Sequence, residues 1–184
     1  MRYLPTAFAN VEFAWKLLLY GESGGIDLER LDVPITFQDN NGRPFFVPPD
    51  RIFHNSDDLL NALHNNLTIA FGAAAITLNR AIEEAGYKRP NGIFQSEEEQ
   101  CIALVYQVRN AFAHDIAEPR WEIRNQAFAR KYLVGGKTFD LRELHGRPFR
   151  YEDLSVASLF FLWDFSTQRL LNPRPDHIFA EPFT

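Results

Sequence analysis

The stretch from Ser96 to Asp115, SEEEQCIALVYQVRNAFAHD, decides how the rest of the chain is read. Ser96 followed by Glu99 is a capping box. The serine hydroxyl accepts the amide of the third helical residue, and the glutamate reaches back to the cap. Acids in the first turn face the positive end of the helix dipole. A helix is therefore predicted over 97–116, and Pro119 bars its continuation. At about 100° per residue, Cys101, Leu104, Val105, Val108, Ala111 and Phe112 share one face, which is a core stripe. The opposite side holds Ala103, Tyr106, Asn110, Ala113 and His114, with Arg109 at its edge, and these turns carry no Lys or Glu there. A free helix surface normally carries long solvated charges. Small alanines alternating with Arg, Tyr, Asn and His suit the close approach of a second helix or a ligand.

Working outward, a first helix is expected from residue 5 or 6 to residue 20, with Gly21 ending it. Between 22 and 55, Ile35-Thr36-Phe37 and Phe45-Phe46-Val47 flank Asn40-Asn41-Gly42, a hairpin pattern. Ser56, followed by two aspartates, reads as the start of a helix running to about residue 85, where Gly86 stops it. At about 1.5 Å per residue this helix spans roughly 45 Å. Gly72 and the alanines after it leave room for another helix. Beyond Pro119, short strands are expected at 121–123, 131–134 and 138–141, with Gly135-Gly136 as a turn. A last helix is expected over 151–171 and an extended tail over 172–184. The predicted class is mainly α: a bundle of about four long helices with one or two small β-hairpins. The chain reads as a single domain, 1–184, with a core at 56–171 and an insertion or arm at 22–55.

Composition narrows the function classes. The 184 residues are 46 % hydrophobic and 23 % charged, which excludes a disordered chain. Seventeen phenylalanines predict an aromatic core. No apolar run approaches the roughly 18 residues of a membrane span. The amino-terminal residues lack a signal-peptide pattern. The lone Cys101 excludes an internal disulfide and a multi-cysteine metal site, so a cytoplasmic protein with one buried thiol is expected. No phosphate-loop, dinucleotide or zinc-protease motif occurs, and no metal or cofactor is expected. The net charge of -5 argues against a uniformly basic nucleic-acid coat. Residues 119–150 nevertheless hold eight Arg/Lys against three Asp/Glu. That stripe fits either a phosphate-bearing ligand or a solvated hairpin.

Arg109 and His114 are five residues apart, about 140° around a helix. One helix does not readily aim both at a single atom. Two copies meeting antiparallel would pair Arg109 of one with His114 of the other, a site shared across a two-fold axis.

The string Val108-Arg109-Asn110-Ala111-Phe112-Ala113-His114-Asp115 resembles the signature of the HEPN superfamily (higher eukaryotes and prokaryotes nucleotide-binding). That signature is an Arg, a polar residue, then a His after four to six intervening residues, late on a helix. Pro119, Trp121 and the Leu144-His145-Gly146-Arg147-Pro148-Phe149 segment resemble the context seen in bacterial members. The resemblance covers roughly 56–171. It implies a HEPN-like bundle that forms a homodimer through the 97–116 helix. In active members it implies metal-independent endoribonuclease chemistry in toxin-antitoxin or antiviral defence, with RNA (tRNA or mRNA) as substrate and a cognate antitoxin or regulatory protein as partner. His114 would then move protons, because histidine is the side chain suited to that task near neutral pH. Arg109 would neutralise the phosphorane with its planar fork. Asn110 would hold phosphate or orient the histidine. From position alone, outside the motif, Tyr106 on the same face would stack a base or supply a hydroxyl to the substrate, and Arg120, Arg124, Arg130 and Lys131 would contact RNA backbone. The other use of the same face is a non-catalytic module that binds a nucleotide or a protein partner. This sequence carries no fused nucleotidyltransferase or helicase domain, and its body is acidic, unlike the better-known toxins.

Overall fold

The computed structural model describes residues 3–31, 37–46 and 51–172. The chain is mainly helical, with two small antiparallel hairpins. In order it forms α1 (Leu4–Glu22), α2 (Leu28–Leu31), β1 (Phe37–Gln38), β2 (Pro44–Phe46), α3 (Ser56–Glu84), α4 (Glu97–Ala113), a 3-10 turn (Gln126–Phe128), β3 (Lys131–Val134), β4 (Lys137–Asp140) and α5 (Val156–Ser166), which runs into a π turn (Thr167–Leu171). Among the described residues no helix is long and apolar enough to cross a membrane. The expected tail lies outside the described residues from 173 onward, as do Ile35, Thr36 and Val47 of the first expected hairpin.

Two compact units divide the chain: residues 12–67, and residues 1–11 with 68–184. In the first, β1 pairs with β2 as Phe37↔Phe46 and Gln38↔Pro44. The turn is built on Asp39, whose carboxylate accepts the amides of Asn41 and Arg43 at 2.8 Å. Only Gly42 takes a positive φ there, at 74°; neither asparagine does. The short α2 was not foreseen. Its four residues are too few to show a periodic pattern. Helix α3 starts at Ser56 as expected. Asn55 Oδ1 accepts the Asp58 amide at 2.9 Å, so Asn55 caps the helix and Ser56 is its first residue.

The second unit is organised around α4. Its capping box forms as predicted, with Ser96 accepting the Glu99 amide and Glu99 reaching back to the cap. All six residues of the predicted core stripe are buried. Phe112 stacks on Phe71 of α3 with ring centroids 5.5 Å apart, and a side chain at Gly72 would run into the Phe112 ring. The small-residue stretch of α3 is thus where α4 approaches. Phe149 joins Phe71, Phe112 and Trp121 at 4.8–5.5 Å. Trp121 is fully buried, and its indole N–H donates to Asp153 at 3.2 Å. On α5, Ser166 lies 3.5 Å from the Cys101 sulfur, and Phe8 of α1 stacks on Trp163 at 4.3 Å. The aromatic core follows from the phenylalanine count.

Helix α1 runs through Gly21 to Glu22 rather than ending at residue 20, and three further assignments depart from expectation. Helix α4 stops at Ala113 rather than 116, because the Asp115 carboxylate accepts the amides of Ala117 and Glu118 and turns the chain. Those two hydrogen bonds hold the Asp115 carboxyl below its usual range. Residues 121–123 are not a strand. Trp121 exchanges hydrogen bonds with Gly146 and Arg147 in a loop pairing, and an isolated bridge joins Arg120 to Pro148. Helix α5 begins at Val156, capped by Ser155, rather than at 151. The β3–β4 hairpin forms with its turn at Gly135 and Gly136, both at positive φ.

Candidate functional site

The face of α4 that lacks Lys and Glu is partly covered by the chain itself. Strand β3 packs along α4. The Leu133 amide donates to Gln100 Oε1 at 2.8 Å, and the Gly135 amide donates to Glu97 at 3.2 Å. Ala103 is fully buried as a result, and Gln107 is only 3 % exposed. The missing long charges over the first turns therefore reflect an internal contact. Only the last turn of this face stays open: Arg109 and Asn110 are half-buried, and Ala113 and His114 are exposed.

That open end forms one side of a cleft of about 300 Å³. Helix α4 contributes Tyr106, Gln107, Arg109 and Asn110, and the helix cap contributes His114. The connector at 85–96 contributes Arg89. The loop after Pro119 contributes Glu122, Arg124, Asn125 and Phe128. This loop is pinned at three points. The Ile123 amide donates to His145 Nδ1 at 3.1 Å, Asn125 caps the 3-10 turn, and the Tyr132 hydroxyl donates to the Phe128 carbonyl at 2.9 Å.

Three arginines and one carboxylate line the cleft. Arg124 pairs with Glu122 at 2.9 Å, and the same Glu122 oxygen lies 3.5 Å from His114 Nε2. Arg109 Nη1 donates to Asn110 Oδ1 at 3.1 Å, which fixes the guanidinium plane from one side. Arg89 Nη1 donates to the Tyr106 hydroxyl at 2.7 Å, and its guanidinium carbon sits 4.7 Å from the Tyr106 ring centre and 5.7 Å from that of Phe128. Among the described residues neither Arg89 nor Arg109 pairs with a carboxylate. Two unneutralised cations in a concave site favour an anionic ligand. The Gln107 amide oxygen is buried and has no hydrogen-bond partner among the described residues. An unmet buried amide costs about 1–3 kcal/mol.

Arg109, Asn110, His114, Tyr106 and Arg124 thus come together in one cleft of a single chain. His114 caps α4 and lines the same cleft as Arg109 despite their spacing on the helix. Arg120 and Lys131 lie elsewhere. Arg120 lines a separate depression with Thr68, Phe149 and Tyr151, and Lys131 faces Asp140 at 4.0 Å on the hairpin. Asp140 is also gripped by Arg142, which holds its carboxyl down at about 2. Sequence reasoning missed Arg89, Gln107, Glu122 and Phe128. Only Gln107 carried a signal, as a neutral residue on the anomalous face. Among the described residues no group of three or more His, Cys, Asp or Glu is placed to hold a metal ion. Comparison with family models, with curated proteins and with solved structures returned no match.

Proposed function

We propose that the protein is an endoribonuclease of the HEPN type that cleaves RNA by attack of a ribose 2′-hydroxyl on its own phosphodiester. The observation that carries this reading is the joint presence of Arg109, Asn110 and His114 in one cleft with an excess of arginine. His114 takes the 2′-hydroxyl proton as the bond from the 2′-oxygen to phosphorus forms. Arg109, steadied by Asn110, binds the non-bridging oxygens as charge builds on the phosphorane. The phosphorus–5′-oxygen bond then breaks and the proton ends on the departing 5′-oxygen, leaving a 2′,3′-cyclic phosphate and a 5′-hydroxyl. No step in this sequence calls on a metal ion. The open last turn of α4 is where a second copy joins, bringing its own His114 toward the same phosphate. In this reading the protein acts in growth control or defence, restrained by a partner protein.

The test is cleavage of total cellular RNA by purified protein in excess EDTA, beside His114→Ala and Arg109→Ala. Wild type yields discrete fragments with cyclic phosphate ends, and each variant is slower by about 10²–10⁴-fold. Intact RNA in every lane, from a folded dimer, refutes the reading. It leaves the second one, a nucleotide-binding module at the same cleft. Arg89 and Gln107, which take no part in the cleavage step, would hold the nucleotide in either reading.

A further inference from the structure

We propose that the buried part of this cleft is a nucleobase pocket. There the Gln107 carboxamide reads the edge of an unpaired adenine, and the Arg89 guanidinium stacks on its face. The inference deepens the RNA-cleaving reading and rests on it for the class of ligand.

Gln107 lies in a helix whose neighbouring buried positions are apolar, and it is itself 3 % exposed. A leucine or methionine would fill the space with no polar group to satisfy. Gln107 instead lines the cleft, and its amide oxygen is buried and unpartnered among the described residues. A half-turn of the amide exchanges oxygen and nitrogen, so it presents a donor beside an acceptor. A phosphate offers only acceptors. Adenine offers an amino N–H beside a ring nitrogen on two of its edges, where unpaired cytosine offers it on one, and a glutamine amide matches that pattern with two hydrogen bonds. In an unpaired strand that edge is free.

Arg89 supplies the second element. Its guanidinium is held by the Tyr106 hydroxyl and lies over the Tyr106 and Phe128 rings, while the side chain remains exposed on its outer side. A guanidinium plane so supported is a platform on which an unpaired base stacks. Gln107 and Asn110 are one turn apart on α4, about 4.5 Å along its axis. The base pocket is thus contiguous with the Arg109–His114 end, where the phosphate belongs. A volume of about 300 Å³ is at the small end for ligand pockets and is scaled to one nucleotide.

The experiment is titration calorimetry of the full chain with AMP and with ribose 5-phosphate, which carries the same phosphate and no base. Wild type binds AMP at least about tenfold more tightly, as a bidentate base contact requires. Gln107→Leu, close in volume, erases that preference and melts no lower than wild type. Equal binding of the two ligands, no AMP binding at millimolar concentration, or a preference that survives Gln107→Leu overturns the proposal. Should Gln107→Leu fail to fold, Arg89→Ala replaces it, since an exposed side chain is removed. It must lower the AMP preference, and an unchanged preference overturns the proposal. The RNA cleavage assay separates the two readings. Cleavage without an AMP preference removes the base pocket and leaves the nuclease. An AMP preference without cleavage removes the nuclease and leaves the pocket.

Discussion

His114 Nε2 lies 3.5 Å from Glu122 Oε2, and the same carboxylate oxygen takes Arg124 at 2.9 Å. One acid from the loop after Pro119 thus ties down two basic groups at the mouth of the cleft. It is the only carboxylate among the residues that line it. Glu122 therefore sets the charge that an incoming polyanion meets.

Glu122→Gln keeps the side-chain shape and removes that charge. Arg124 is released and the cleft gains one positive charge. Binding of single-stranded RNA should tighten several-fold at low salt, with a steeper salt dependence, since each phosphate neutralised adds about 0.7 to the slope for a single strand. Fluorescence anisotropy at two salt concentrations checks this. Identical affinity and slope would mean that RNA does not enter here. Stability should change by no more than about 1 kcal/mol, as for an ion pair open to solvent.

Helix α4 depends on its first turn. Ser96→Ala deletes the hydroxyl that accepts the Glu99 amide at 3.1 Å. The expected loss is about 1 kcal/mol, and a fall in melting temperature of about 2–4 °C for a chain of this size. A melting curve identical to wild type would show that the capping box is immaterial.

The α3–α4 contact permits no side chain at Gly72. A Cβ there meets the Phe112 ring, which is itself wedged against Phe71 and Phe149. Gly72→Ala should destabilise by about 1–3 kcal/mol through overpacking, despite the better helix propensity of alanine. Chemical denaturation measures the balance. A gain in stability would place the helices further apart than described.

Burial pushes the Cys101 thiol up from 9.0 to about 12, and burial also raises Tyr132 and Tyr151. Each is an acid whose folded-state value lies above its unfolded one. Its stabilising contribution is complete below the unfolded value and is lost as pH rises toward the folded value. For Cys101 the loss begins near pH 9. It runs at up to about 1.4 kcal/mol per pH unit. Denaturation at pH 8 and pH 10.5 should show a marked fall for wild type and a smaller one for Cys101→Ala. Equal falls would remove the thiol from the cause. A thiol reagent should leave Cys101 untouched at pH 8 until the protein unfolds.

Local chemistry was legible in the sequence. Ser96 with Glu99, Gly135-Gly136 and the stripe from Cys101 to Phe112 each act through neighbours within a turn or two, and each appears where its pattern demands. The end of α4 was harder to place. Asp115 competes as a hydrogen-bond acceptor with the residues beside it, and a pattern of side chains does not rank them.

The sequence by itself determined the four long helices, the Gly135-Gly136 turn and which face of α4 is apolar, because those follow from backbone capping and residue spacing. Tertiary structure alone decided what the other face meets. Strand β3 lies along its first turns, and Arg89 from the connector before α4 and Glu122 and Phe128 from the loop after Pro119 wall the cleft at its end. None of these is within a helical turn of Arg109 in the chain. The aromatic packing of Phe71, Phe112, Trp121 and Phe149 holds the loop after Pro119 against α4. Packing between distant segments depends on shape, which a pattern along one segment does not record.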